Sequence, residues 1–273
     1  MERHGGADMG YAIFRNDGVS FIRVRNIRHK ITTFTRDKGV YVLTGGGGTY
    51  TIPTDKLIAE YGFNGDYTDS INDYDGTGVN TNFISGIDEE AVQINGITQR
   101  IEINSLASFF SGRKPFTVSS MVYWEPGVVG WVLISTSGKS TGYYGLYLYI
   151  GSDGSINIQR GIEDSYYNAC TTTAGVAIPN SWNSCVFMYD GNKMYVVLNG
   201  DKAKAELAES TSLDGLQYCT LGAGWYQNNI YYRSTNLRLD QMRIYEKCLS
   251  ESEYMELYYE FNKLFNTPRR VNI

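Results

Sequence analysis

The chain has 273 residues, with 24 Lys and Arg against 29 Asp and Glu, and 14% aromatic residues that include 23 Tyr. Charged residues reach only 19% and Gly numbers 30, a composition that suits strands and tight turns and excludes a coiled coil, a helical bundle and a disordered chain. The longest apolar stretch, around Val128–Ile134, is far too short to span a bilayer.

Residues 11–43 read as short strands separated by turn signals: Tyr11–Arg15, then Asn16-Asp17-Gly18, then Val19–Arg25, and a third run over Gly39–Leu43. This segment is basic. Residues 1–50 hold eight Lys and Arg and four Asp and Glu, which leaves sixteen and twenty-five for residues 51–273, a net −9. A basic arm on an acidic body suggests docking, with Arg23, Arg25 and Arg28 as the candidate docking residues; a solvated basic edge strand is the equal alternative. Nucleic acid is not expected as a partner, since no nucleic-acid motif accompanies these arginines. The opening Met-Glu-Arg-His-Gly-Gly has no apolar run of the secretory type. Glycines 45–48, within the linker at 44–49, place a domain boundary near 45–55, so that 1–50 is an anchor segment and 51–273 the main domain.

After the linker, strands recur at short spacing. Lys56–Phe63 alternates, Ala91–Ile94 and Arg100–Ile103 flank a turn, and Pro115–Tyr123, Trp131–Ser135 and Tyr144–Ile150 follow. Asp153-Gly154 joins Tyr144–Ile150 to Ser155–Gln159, Asp190-Gly191 joins Trp182–Tyr189 to Lys193–Leu198, and Asn199-Gly200 opens a further hairpin. One helix is predicted. Ser250 and Glu253 form a capping box, and Tyr254, Leu257, Tyr258 and Phe261 follow as an apolar stripe. Cys170, Cys185, Cys219 and Cys248 show no metal spacing; they are expected to be reduced thiols, with a Cys219–Cys248 bridge as the alternative if the chain matures outside the cell.

Four blocks resemble a known family. They are Leu57–Gly65 running into Asp69-Ser70; Pro115-Phe116-Thr117-Val118-Ser119; Trp182 through Asp190-Gly191 to Leu198-Asn199-Gly200; and Leu239–Tyr245 followed by Leu249-Ser250 and Glu253. Over residues of about 56–260 the chain is similar to concanavalin A-like jelly rolls of the laminin-G-like type. The resemblance implies an all-β, antiparallel two-sheet jelly-roll sandwich with one short C-terminal helix, preceded by a small strand-rich segment. It also implies that Asp69 and Asp240 come together around a structural Ca2+. The other reading of Asp69 is a turn-capping residue.

Some proteins of this fold are glucanases, which need two carboxylates about 5 Å apart across the scissile bond. Asp88-Glu89-Glu90 reads as a turn and Glu251/Glu253 as a helix start, so no catalytic residue is expected. Paired aromatics point instead to recognition, either of glycans or of protein. Trp225 and Tyr226, flanked by Gly222, Gly224 and Asn228-Asn229, are the leading candidates, with Tyr143 and Tyr166 behind them. The expectation is a non-catalytic structural or adhesion protein, such as a phage virion accessory protein in a capsid or tail, binding a glycan or a protein and docking through residues 1–50. The alternatives are a secreted or surface lectin-like module and, third, a glycoside hydrolase. Self-association into a homo-oligomer is compatible with either of the first two.

Overall fold

The structure is a computed structural model. It describes residues 52–94, 98–136, 145–162, 165–207, 213–226, 229–232 and 236–266, together with the backbone of four strands before residue 46. Residues 137–144, 23–30 and 267–273, and some side chains within strands, lie outside that description. The chain divides into two compact units, Met1–Tyr50 and Thr51–Ile273.

In the first unit, β1 (Tyr11–Arg15) pairs with β2 (Gly18–Ile22), and β3 (Ile31–Asp37) with β4 (Val40–Gly45), both antiparallel. β3 was not anticipated; its Ile-Thr-Thr-Phe-Thr run has the β-branched character of a strand without a clean alternation. The second strand stops at Ile22, so Arg23, Arg25 and Arg28 lie outside the described residues. Thr44 and Gly45, read as linker, belong to β4.

The second unit opens with β5 (Leu57–Tyr61), β6 (Thr77–Val79), β7 (Asn82–Ser85), β8 (Glu90–Ile94) and β9 (Arg100–Glu102), then a 3-10 helix over Asn104–Phe110. β10 (Phe116–Trp124), β11 (Gly130–Thr136), β12 (Gly145–Ile150), β13 (Ile156–Ile162) and β14 (Ser165–Thr171) follow. After them come β15 (Ser181–Tyr189), β16 (Lys193–Leu198), β17 (Asp201–Leu207), β18 (Tyr218–Leu221), β19 (Ala223–Tyr226), β20 (Asn229–Tyr232), β21 (Leu237–Tyr245) and α1 (Glu251–Asn266). An eight-stranded sheet runs β17-β16-β15-β10-β21-β8-β7 with β5 also beside β21, and a seven-stranded sheet runs β14-β13-β12-β11-β18-β9-β6. All their pairings are antiparallel. This is the two-sheet sandwich expected from the sequence, with its core between the sheets: Val118, Val122, Phe187 and Ile244 from one side meet Leu133, Leu146, Leu148 and Ile158 from the other.

The predicted hairpins form where local turn chemistry demands them. Asn199 and Gly200 take φ of 49° and 82°, the left-handed pair that a two-residue hairpin needs, and join β16 to β17. Gly200 is required a second time by packing, because a Cβ there would sit 2.6 Å from the Tyr258 ring of α1. β8 and β9, which the sequence places on either side of a turn, belong to different sheets. A chain that crosses between sheets presents the same apolar runs as one that folds back on itself.

Helix α1 lies on the outer face of the eight-stranded sheet. Tyr254 and Leu257 pack with Val186, Met188, Val197 and Tyr245, and Phe261 packs with Met121 and Ile87. Its cap differs from the predicted box in one bond. Glu253 reaches back to the Ser250 amide at 2.8 Å as expected, but the Ser250 hydroxyl donates to the same carboxylate at 2.8 Å instead of accepting from the Glu253 amide.

None of the four cysteines is in a disulfide; Cys170, Cys185 and Cys219 are buried and Cys248 is partly exposed. Burial pushes the Cys185 thiol up to about 12 and raises that of Cys219 as well, and the thiolate is the reactive form. A thiol reagent at pH 8 is therefore expected to label Cys248 alone in the native protein and all four after denaturation, read by intact mass. Native labelling at Cys185 or Cys219 at a similar rate would contradict this packing.

Candidate functional site

Strand alternation sends one set of side chains out of each sheet, and the two outer faces differ. On the seven-stranded sheet, register aligns Thr220, Ile134, Tyr147 and Gln159 across β18, β11, β12 and β13. Tyr149 sits two residues beyond Tyr147, and its hydroxyl accepts from Gln159 Nε2 at 2.5 Å. Burial and the nearby Asp153 carboxylate push the Tyr149 phenol up to about 12. Thr220, Ile134, Tyr147 and Gln159 are buried, and Tyr149 is half-buried.

Of the aromatics singled out from the sequence, Tyr166 belongs to this sheet. Tyr143 lies in the β11–β12 connection, outside the described residues. Tyr166 is on edge strand β14, in register with Gly161. Trp225 and Tyr226 are on β19, paired with Ile230 and Asn229 in a two-stranded hairpin, rather than on an irregular glycine loop. The side chains of Tyr166, Trp225 and Tyr226 lie outside the description.

The eight-stranded sheet is covered by α1 over only part of its outer face. Beyond the rows under the helix, one straight row crosses five strands: Trp182 on β15, Tyr123 on β10, Arg238 on β21, Gln93 on β8 and Asn82 on β7. Asn82 is exposed and the other four are half-buried. Trp182 meets Tyr123 edge to face with ring centroids 5.7 Å apart, and the Arg238 guanidinium lies 4.3 Å over the Tyr123 ring. Arg238 Nη2 donates to Glu125 Oε1 at 2.9 Å, Asn236 Nδ2 donates to Glu125 Oε2 at 2.6 Å, and Gln93 Nε2 donates to Asn236 Oδ1 at 2.8 Å. Four polar side chains are thus held in one network beside two aromatic rings: Arg238 and Gln93 lie on β21 and β8, and Glu125 and Asn236 stand one residue beyond the end of β10 and before the start of β21. At about 4.8 Å per strand spacing, the row spans about 19 Å. Sequence reading did not assemble it. The available signal was Tyr123 and Glu125, two residues apart and out of phase with the inward Val122 and Trp124.

Asp69 and Asp240 serve two separate backbone turns. Asp69 accepts the amides of Glu60 (2.9 Å), Ile71 (3.0 Å), Asn72 (3.1 Å) and Tyr74 (3.4 Å). Those N–H groups occupy the directions a cation would need. Asp240, fully buried, accepts from the amides of Ile87 (2.7 Å) and Asp88 (3.2 Å) through Oδ2, while Oδ1 has no partner. A Cβ at Gly86 would come within 2.5 Å of Oδ2, so only glycine lets this turn close over the carboxyl. Among the described residues, no group of three or more His, Cys, Asp or Glu is placed to hold a metal ion. The lone pairs of Asp69 are thus taken up by turn amides, which fits turn capping, while Asp240 keeps Oδ1 open. Adding a chelator at matched ionic strength is expected to leave the melting temperature unchanged; a fall would put an ion back in the structure.

Of the acidic residues weighed for catalysis, Glu253 is held by Ser250 and by Lys247 Nζ at 2.6 Å, and Asp88 Oδ2 accepts from Gln241 Nε2 at 3.4 Å. Among the described residues, no helix is long and apolar enough to cross a membrane.

Comparison with known proteins agrees with this architecture. The family model described as the concanavalin A-like lectin/glucanases superfamily, of the laminin-G type, matches residues 95–253, and the chain belongs to that superfamily. No curated protein sequence matches. Among solved structures, the chain is similar to domain 4 of AbnA, an extracellular GH43 arabinanase from Geobacillus stearothermophilus in complex with arabinotriose. That match has 20% identity and a TM-score of 0.59, over 74% of this chain and 98% of that one. It is also similar to the binding domain of Paraclostridial Mosquitocidal Protein 1, at 18% identity and a TM-score of 0.57, over 77% of this chain and 53% of that one. A third is the Ruminococcus gnavus IT-sialidase CBM40 bound to α2,3-sialyllactose, at 15% identity and a TM-score of 0.52, over 62% and 96%. The chain spans about half the length of the toxin binding domain. At these identities the likeness is one of fold.

Proposed function

We propose that residues 51–273 form a non-catalytic carbohydrate-binding module that holds its ligand on the Trp182–Tyr123–Arg238–Gln93–Asn82 row. The observation that supports this most is the row itself. It offers aromatic ring surface against which sugar C–H groups can pack and hydrogen-bonding groups already locked in place, so that little side-chain entropy is lost on binding. The fold likeness to domains solved with arabinotriose and with sialyllactose supports the same reading. Titration of the full chain with oligosaccharides is expected to show binding that Trp182→Ala weakens at least tenfold, with the melting temperature measured in parallel because Trp182 also touches the cluster around Phe261. Trp225→Ala with Tyr226→Ala is the contrast. If that pair alone abolishes binding, the site is at the β19–β20 hairpin, where Tyr143 and Tyr166 become the next residues to change.

A second reading rests on the charge contrast between net +4 over residues 1–50 and net −9 over the rest. It makes the first unit, with Arg23, Arg25 and Arg28, a docking arm that fixes the module to an acidic protein surface on a larger particle such as a virion. Deleting residues 1–50 is then expected to leave a folded domain that no longer assembles, and docking of the full chain is expected to weaken as salt screens it. Unchanged assembly of the truncated chain would end this reading.

A further inference from the structure

Resting on the reading that this row binds a glycan, we infer that its ligand is an uncharged oligosaccharide and that Glu125 sets this specificity. The row contains one cation, Arg238, and it is already neutralised. Its Nη2 is bound to Glu125 at 2.9 Å, and one face of its guanidinium is covered by the Tyr123 ring at 4.3 Å. Glu125 also accepts from Asn236 Nδ2 through its other oxygen, so it cannot swing away to free the guanidinium without also breaking that 2.6 Å hydrogen bond.

An acidic sugar reaching for Arg238 would bring its carboxylate beside the Glu125 carboxylate. At such a half-buried position, like charges repel more strongly than in bulk water. The wider field has the same sign, since residues 51–273 carry net −9, and a negative body disfavours the approach of anions. Sugar hydroxyls carry no such cost. Each can donate to a remaining lone pair of Glu125 or Asn236 Oδ1, or accept from an amide of Gln93 or Asn82, because carboxylates accept only and side-chain amides do both. A row about 19 Å long spreads these groups too widely for a single sugar ring.

The test is calorimetric titration of the full chain with a panel of neutral tri- and tetrasaccharides, and with the same chains carrying a terminal uronic or sialic acid. It is run on wild type, Glu125→Gln and Trp182→Ala, with Gln93→Ala replacing the last if it fails to fold. Wild type is expected to bind at least one neutral member and to bind its acidic counterpart at least tenfold more weakly. Glu125→Gln is expected to narrow that gap at least fivefold, and added salt to narrow it in wild type. Stronger wild-type binding to the acidic member, weakened by Trp182→Ala, overturns the ligand class while keeping the site. A gap that Glu125→Gln leaves unchanged overturns the role of Glu125. Binding that survives Trp182→Ala, or Gln93→Ala in its place, intact removes the site itself.

Discussion

Raising the pH from 4.5 to 7.5 is expected to destabilise the protein, and Asp240→Asn is expected to remove most of that dependence. Burial, opposed by the amides of Ile87, Asp88 and Gln241, raises the Asp240 carboxyl from 3.8 to about 7, with the nearby Asp88 carboxylate adding to the rise. The native state therefore keeps a proton that the unfolded chain has already lost. A group with a raised native pKa contributes stability fully below its unfolded value and loses it as pH rises through the native one. The loss runs at about 1.4 kcal/mol per pH unit between the two, and totals about 4 kcal/mol. Asp153, Asp190 and Glu253 have lowered carboxyl pKa values, so their contributions are present above the ordinary carboxylate range and fall away only as pH drops below it. Among the described residues, the window above pH 4.5 therefore reports Asp240. In Asp240→Asn the side-chain oxygen still accepts from Ile87 and Asp88, and no ionisation remains. Urea unfolding of both proteins at several pH values checks this; equal slopes in the two would show that Asp240 is not the titrating group.

Asp69→Ala is expected to cost about 3–5 kcal/mol, among the larger losses available to one polar residue here. Four backbone amides converge on this carboxylate, which is 6% exposed. A hydrogen bond to a charged group contributes about 1.5–3 kcal/mol, and the sum is reduced because the amides of an exposed turn recover water when the acceptor goes. Asp69→Asn should recover about half, since its single carbonyl oxygen can serve only part of the set. A loss under about 1 kcal/mol for Asp69→Ala in urea unfolding would mean that the 66–75 turn holds itself without the carboxylate. The same variants in chelator separate turn capping from metal binding, because only a metal site would respond.

The candidate site was less legible in the sequence than the fold. The sequence marks Trp182 only as part of a hairpin and Tyr123 and Gln93 only as members of strand runs, and it does not single out Arg238 or Asn82. Apart from Glu125 two residues after Tyr123, no sequence neighbour marks any of the five. The aromatic pairs that did draw notice, such as Trp225-Tyr226, are conspicuous because they are adjacent. Adjacency in a strand sends the two rings to opposite faces and so says little about a shared surface. Asp240 shows the same limit in another form. Its burial depends on Gly86 and the turn that follows it, more than 150 residues earlier, closing over the carboxyl.

Features under short-range control are legible in the chain itself. Asn199-Gly200, Asp190-Gly191 and Asp153-Gly154 turn the chain because glycine reaches positive φ there. Alternating runs make strands with one apolar face, and the Ser250–Glu253 pair starts the helix. Tertiary structure alone decided which strands became neighbours. It separated β8 from β9, and it set β21 against β10 on one side and against β5 and β8 on the other. It also slid the strands into the register that lines up Trp182, Tyr123, Arg238, Gln93 and Asn82. The physical reason is that register follows from burying the inner face of every strand at once, and a surface row is the outward consequence of packing far from it.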